Sequence, residues 1–330
     1  MMKPTRRKFL QLAAAGPALV AAPGVARAQA YPSRPITMVV PFPPGGLTDV
    51  LGRVLAAGMQ AVLGQTVVVE NVGGASGSIG TGRVARAAPD GYTIVLGIWN
   101  THVANGVTYK LDYDVVKDFA PLALCADAPL VLLAKKSAPA NDLRGYIDWL
   151  KANPDKASMA TVGIGSPGQL LGFLMQKNTG ARFTLVPYRG AGPSVQDVVA
   201  GQIDMTFANT ATALPFVRAG SLKAFGVTSL RRITAAPDIP TMDEEGLRGF
   251  SFSLWGALFA PRDTPRDIID KLNAAAVKTL HDPDVARKLE AQGFAIPSAD
   301  RQTPQALAAY QKAEIDKWWP IIRDAGIKAQ

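Results

Sequence analysis

One cysteine, Cys125, and two histidines, His102 and His281, are all that a chain of 330 residues offers of those types. A lone cysteine excludes an intrachain disulfide, and its apolar neighbours favour an inert core residue. Two histidines exclude a histidine-rich metal site, and a Ser/His/Asp triad would have to use one of them. Neither a G-x-S-x-G nucleophile elbow nor an H-E-x-x-H pair occurs. No apolar run is long enough to span a bilayer, and no run of lysine and arginine suggests nucleic acid. Apolar residues make up 48% of the chain, which at this length can bury a large core and favours two lobes over one.

The first residues carry an export signal. Thr5-Arg6-Arg7-Lys8-Phe9-Leu10 is a twin-arginine pattern, an apolar region follows, and Ala26-Arg27-Ala28 fits the small-x-small rule for cleavage. Residues 1–28 are therefore expected to be a twin-arginine signal peptide, and the mature protein a folded cargo of the periplasm. That segment holds Lys3, Arg6, Arg7, Lys8 and Arg27 and no acid, so the net charge of +9 falls to +4 on its removal. A mild positive balance is compatible with anionic ligands.

The mature chain is organised around Pro41-Phe42-Pro43-Pro44-Gly45-Gly46-Leu47-Thr48-Asp49. A β-branched apolar run, residues 36–40, precedes it, and apolar residues at helical spacing from Val50 to Leu63 follow, with Gly64 at the C′ position. The pattern predicts strand, turn and helix, with Thr48 as N-cap and Asp49 in the first turn. Gly45 and Gly46 bare the backbone N–H groups where the helix dipole favours an anion. A plain strand-to-helix turn has the same pattern. It is not a P-loop, because no Gly-Lys-Ser/Thr follows.

The same alternation recurs along the chain and predicts a largely parallel α/β sheet with ligands beyond the carboxyl ends of the strands. Trp99, Asn100, Thr101 and His102 fall at one such end, although a structural role suits His102 better. Gly163-Ile164-Gly165-Ser166-Pro167-Gly168 satisfies G-x-G-x-x-G, but the acid a dinucleotide site expects about 20 residues on is absent. Another helix start, presenting N–H groups and the Ser166 hydroxyl, accounts for it. Arg189 and Asn209 stand just past strand ends, where they could reach a cleft; a surface ion pair is the other reading for Arg189. Beyond Ala260-Pro261 the chain is predicted helical. The expected organisation is discontinuous: residues 29–125 with 232–330 as one lobe, 126–231 as the other.

These stretches carry a resemblance. Residues 41–49, Val67-Val68-Val69-Glu70-Asn71 with its glycine-rich sequel, Val186-Pro187-Tyr188-Arg189-Gly190, and Val227-Thr228-Ser229 leading to Pro237-Asp238-Ile239-Pro240-Thr241 occur in the order found in one family. The chain resembles the extracytoplasmic solute-binding receptors of tripartite tricarboxylate transporters, the Bug receptors. The resemblance implies an α/β, periplasmic binding protein-like fold of type II, with two lobes, a ligand cleft and a hinge. It implies a small carboxylate gripped by two loops, here Phe42, Pro43, Gly45, Gly46, Thr48 and Asp49 in one, and Gly165, Ser166, Pro167 and Gln169 in the other. Variable side chains read the far end of the ligand, here Trp99, Asn100, Tyr188 and Asn209, with Thr101 and Arg189 as further candidates. Relatives commonly end the second loop Ser-x-x-His-Leu, whereas Gln169 stands in the His place, and Phe173 replaces an acid.

The function expected is capture of a small carboxylate by hinge closure and delivery to the integral-membrane permease subunits of the transporter. Neither catalysis, a cofactor nor a nucleic-acid partner is expected, and the receptor is expected to be a monomer. The competing readings are an exported enzyme acting on an organic acid and a ligand sensor for a membrane kinase.

Overall fold

A computed structural model describes residues 31–163, 165–188 and 190–328. The expected signal peptide and Arg189 lie outside the described residues.

Among the described residues the strands form two five-stranded sheets. The first lobe opens with β1 (Ile36–Val40), α1 (Leu47–Leu63), β2 (Val67–Asn71), α2 (Ser78–Ala85) and β3 (Thr93–Ile98). A π-helical turn, Asn100–Ala104, leads on to β4 (Phe119–Ala126). The chain then crosses into β5 (Leu130–Lys135), α3 (Leu143–Ala152), β6 (Ser158–Thr161), α4 (Pro167–Thr179), β7 (Thr184–Pro187), α5 (Ala191–Val199), β8 (Met205–Asn209), α6 (Thr210–Arg218) and β9 (Leu222–Val227). It returns to add β10 (Gly256–Pro261), α7 (Arg266–Leu280), α8 (Pro283–Ala291) and α9 (Pro304–Asp324) to the first lobe.

The sheet orders are β2-β1-β3-β10-β4 and β7-β6-β8-β5-β9. They share one plan. In each, the second strand from the edge (β1 or β6) runs parallel to both neighbours, and the fourth position holds a strand antiparallel to its neighbours. That antiparallel strand, β10 or β5, is the one brought by a crossing, so each sheet is mixed rather than largely parallel. Helices cover the sheets, so β3, β5 and β10 are almost wholly buried and read as continuous apolar runs.

Local signals account for most helix ends. Gly64 closes α1 in the left-handed region at φ 66°, with its N–H on Gln60 O. Thr303 caps α9 and Pro304 occupies its first turn. The N-cap of α1 is Gly46, not Thr48, which lies one residue inside the helix and makes no capping bond.

The two crossings run side by side. Leu254 N–H donates to Ala128 O, and Phe252 N–H to Thr228 O. The Thr228 hydroxyl donates to Phe252 O and accepts from Leu130 N–H. Residues beyond the expected boundary at 231/232 still pack on the second lobe: Val227 pairs with Thr241, and Ile239 joins the cluster of Val131, Val195 and Leu214. The largest apolar cluster spans both lobes, and at its centre Trp99, Phe252 and Trp318 meet edge to face at 5.0–5.7 Å.

Candidate functional site

The shared plan places two loops at equivalent positions. Residues 41–46 join β1 to α1, and residues 162–166 join β6 to α4. Each follows the carboxyl end of the second strand from the edge, where open α/β sheets bind ligands. Neither loop contains a lysine or arginine. An anion there would be held by backbone N–H groups and the helix dipole.

In the first loop Gly45 adopts φ +85°, and its N–H donates to Asp49 Oδ2 at 2.9 Å. Arg53 Nε donates to the same oxygen at 2.9 Å, and Asn71 Nδ2 to Asp49 Oδ1 at 2.9 Å and to Phe42 O at 3.0 Å. Asp49 is only 3% exposed. The Arg53 hydrogen bond, with those from Gly45 and Asn71, holds its carboxyl down at about 2 against the cost of burial. Asp49 is thus a buried pin on the loop. No side chain caps α1. The N–H groups of Leu47, Thr48 and Asp49 consequently have no protein partner among the described residues. Gly46 is exposed, Phe42 half-buried, and Pro43 packs against Gly73.

The second loop is built the same way. Gly165 adopts φ +71°, and its N–H donates to Gln169 Oε1 at 2.8 Å. Here Ser166 caps the helix, its Oγ accepting from Gln169 N–H at 3.3 Å, and Pro167 fills the first turn. Ser166-x-x-Gln169 is a capping-box spacing, but the Gln169 side chain reaches past the Ser166 N–H, which bonds Gly163 O, to the N–H of Gly165. Gln169 therefore serves the loop backbone, as Asp49 does.

The segment after β3 connects the two loops. A Cβ at Gly77 would stand 2.6 Å from Thr101 Cγ2 and 3.1 Å from Phe42 Cζ, so glycine is required for this approach. Asn105 Nδ2 donates to Ser76 O and Ser78 Oγ. Thr108 donates to Ala104 O, and its methyl would lie 3.6 Å from a Cβ at Gly165. Asn71 and Asn105 escaped the sequence reading. Asn71 closes a strand, a signal that was available, but nothing local marks Asn105.

Most of the other expected contact residues are engaged within the protein. Trp99 is fully buried against Phe252 and Trp318. Thr101 is also fully buried, its hydroxyl bonded to Ile98 and His102. Both support the π-helical turn from beneath, and only Asn100 of that group is half-buried. His102 stacks on Phe259 at 3.9 Å, and burial pushes its imidazole down to about 3. Tyr188 donates to Asp197 at 2.5 Å within its own lobe. Asn209 caps α6 by accepting from Thr212 N–H at 2.9 Å. Cys125 is buried, with its thiol raised to about 12. A separate hollow of about 500 Å³, lined in part by Asp112, Asp114, Asp118 and Trp319, is acidic and holds none of the loop residues.

Residues 51–327 match the family model described as tripartite tricarboxylate transporter family receptor. BugT of Bordetella pertussis is 38% identical over 303 residues, covering 91% of this chain and 92% of that protein. Three solved structures are also similar. MatC from Rhodopseudomonas palustris with bound malate is 38% identical, covers 88% of this chain and 100% of that one, and superposes with a TM-score of 0.76. A second R. palustris protein, with adipate, is 32% identical over 90% of this chain and 99% of that one, at a TM-score of 0.79. The periplasmic binding protein BugD is 37% identical at a TM-score of 0.76. The two mixed sheets and their covering helices are the two α/β lobes of a periplasmic binding protein.

Proposed function

The chain belongs to the tripartite tricarboxylate transporter receptor family, and from that premise we propose how it acts as a solute-binding protein for a small carboxylate. The observation that carries the reading is the pair of equivalent glycine loops, each opening onto a helix N-terminus, one in each lobe. Malate and adipate, named with two relatives, are both dicarboxylates, and a ligand of that kind suits a site that binds anions by backbone groups. The uncapped start of α1 is the stronger anion receptor of the two, because its first-turn N–H groups have no competing side-chain acceptor. The ligand is enclosed as the lobes close about the paired crossings, in the hinge manner of such receptors. The closed form, a monomer, hands the solute to the permease subunits and performs no chemistry on it. The protein reaches the periplasm by the twin-arginine route, with cleavage near Ala28.

The test is calorimetric titration of the purified mature protein with malate, adipate and a panel of other carboxylic acids, using their amides as controls. Binding of one acid, abolished on amidation, is the expected result. Ligand at a hundredfold excess over Kd also raises stability by about 2.7 kcal/mol. Equal binding of acid and amide overturns the anion site.

A further inference from the structure

We propose that Gln169 is a positioning residue of ligand capture, the neutral counterpart in the second lobe of Asp49 in the first; the inference rests on the function proposed above. The equivalence is topological first. β1 and β6 hold the same place in their sheets, each feeds a loop of similar length, and each loop feeds a helix. It extends to single hydrogen bonds: a left-handed glycine donates its N–H to the side chain four residues on, at 2.9 Å for Gly45 and Asp49 and 2.8 Å for Gly165 and Gln169. The neighbouring strands correspond as well. Val40 pairs with Asn71 and accepts from Val72 N–H, while Thr161 pairs with Pro187 and accepts from Tyr188 N–H.

The correspondence exposes a difference. Asn71 braces Asp49 and Phe42 in the first lobe, but its counterpart is Pro187, whose side chain can neither donate nor accept. Asp49 is also held by Arg53, whereas the Gln169 side chain has Gly165 as its hydrogen-bond partner among the described residues. Gln169 is half-buried and Asp49 buried. A Cβ at Gly165 would stand 3.6 Å from Thr108 Cγ2 and 3.9 Å from Ile327 Cγ2, so the turn lies against the first lobe. Among the described residues the Gln169 side chain is the one that holds the Gly165 N–H, beside the Ser166 N–H bond to Gly163 O and the Ser166 cap. Without the Gln169 acceptor, part of the binding free energy goes into fixing the Gly165 turn.

Gln169→Met keeps the length of the side chain and removes the acceptor, and Gln169→Glu keeps the acceptor. The readouts are Kd for malate and adipate by calorimetry, amide exchange of Gly165 by NMR, and thermal stability without ligand. We expect Gln169→Met to raise Kd roughly three- to tenfold, the equivalent of one net hydrogen bond. Gly165 exchange should accelerate in the unliganded variant with the melting temperature lowered by no more than about 3 °C, and Gln169→Glu should restore the protection. A wild-type Kd in Gln169→Met, or Gly165 exchange equal to wild type, overturns the role. A wild-type protein that binds no acid overturns the function and the role together. That result is distinct from failure of the role alone, where wild type binds and the variant matches it.

Discussion

The two loops that open onto α1 and α4 solve one problem with different chemistry. Each needs a glycine in the left-handed region, and each holds that glycine's N–H with a side chain from the first turn of the helix. The first lobe uses a buried carboxylate braced by Arg53 and Asn71 but leaves the helix start uncapped. The second uses a neutral amide without a brace, and caps its helix with Ser166. The first loop thus sets a firm frame around free N–H groups, and the second is held by fewer side chains.

The comparison extends to titration, where the largest effect is expected. The first lobe contains His102, whose buried imidazole stays neutral to about pH 3, against 6.5 for a free histidine. Between those values the unfolded chain binds a proton that the folded chain does not, so acid lowers stability by roughly 1.4 kcal/mol per pH unit. Asp49 acts further down: its lowered pKa adds stability that is present above 3.8 and lost as pH falls through about 2. The Gln169 amide has no such dependence. Urea unfolding from pH 7 to 4 should show the His102 loss in wild type, and a smaller slope in His102→Gln. Equal slopes would remove the contrast.

Side-chain deletion should separate the loops next. Asp49→Ala removes an acceptor with three partners and is expected to cost roughly 2–3 kcal/mol of folding stability. The loss stays in that range because the Arg53 side chain is 56% exposed and recovers water. Gln169→Ala should cost about 1 kcal/mol. Equal losses in urea unfolding would mean that the two pins are equally braced. The smallest change tests the brace itself. Pro187→Asn places at the end of β7 the side chain that Asn71 supplies in β2, and should slow Gly165 amide exchange a few-fold, worth about 0.5–1 kcal/mol. Unchanged exchange would show that the strand correspondence stops at the backbone.

Much of this frame was legible in the residues. The apolar run at 36–40, the glycine pair and the helical periodicity to Leu63 locate β1, the first loop and α1, and Gly64 marks the helix end. β4 escaped notice because Pro121 interrupts a run that only pairing with β10 makes a strand. The mixed sheets had no local signature either, since a strand's direction depends on which crossing brings it. Trp99 and Thr101 stood in the right place along the chain, just past a strand end, but the π-helical turn directs them into the core. Asp49 looked like an ordinary first-turn acid until Asn71, from the neighbouring strand, met it.

Sequence by itself determined where this protein turns, because glycine at positive φ, proline at a helix start and apolar period are properties of a few adjacent residues. Only the tertiary structure decided what those turns are tied to. The acceptors for Gly45 and Gly165, and the Arg53 brace on Asp49, lie within reach of sequence spacing, but the Asn71 brace comes from β2, and its counterpart in β7 is Pro187, which braces nothing. Their registers against β1 and β6 are set by burial of whole sheets, which no short stretch encodes.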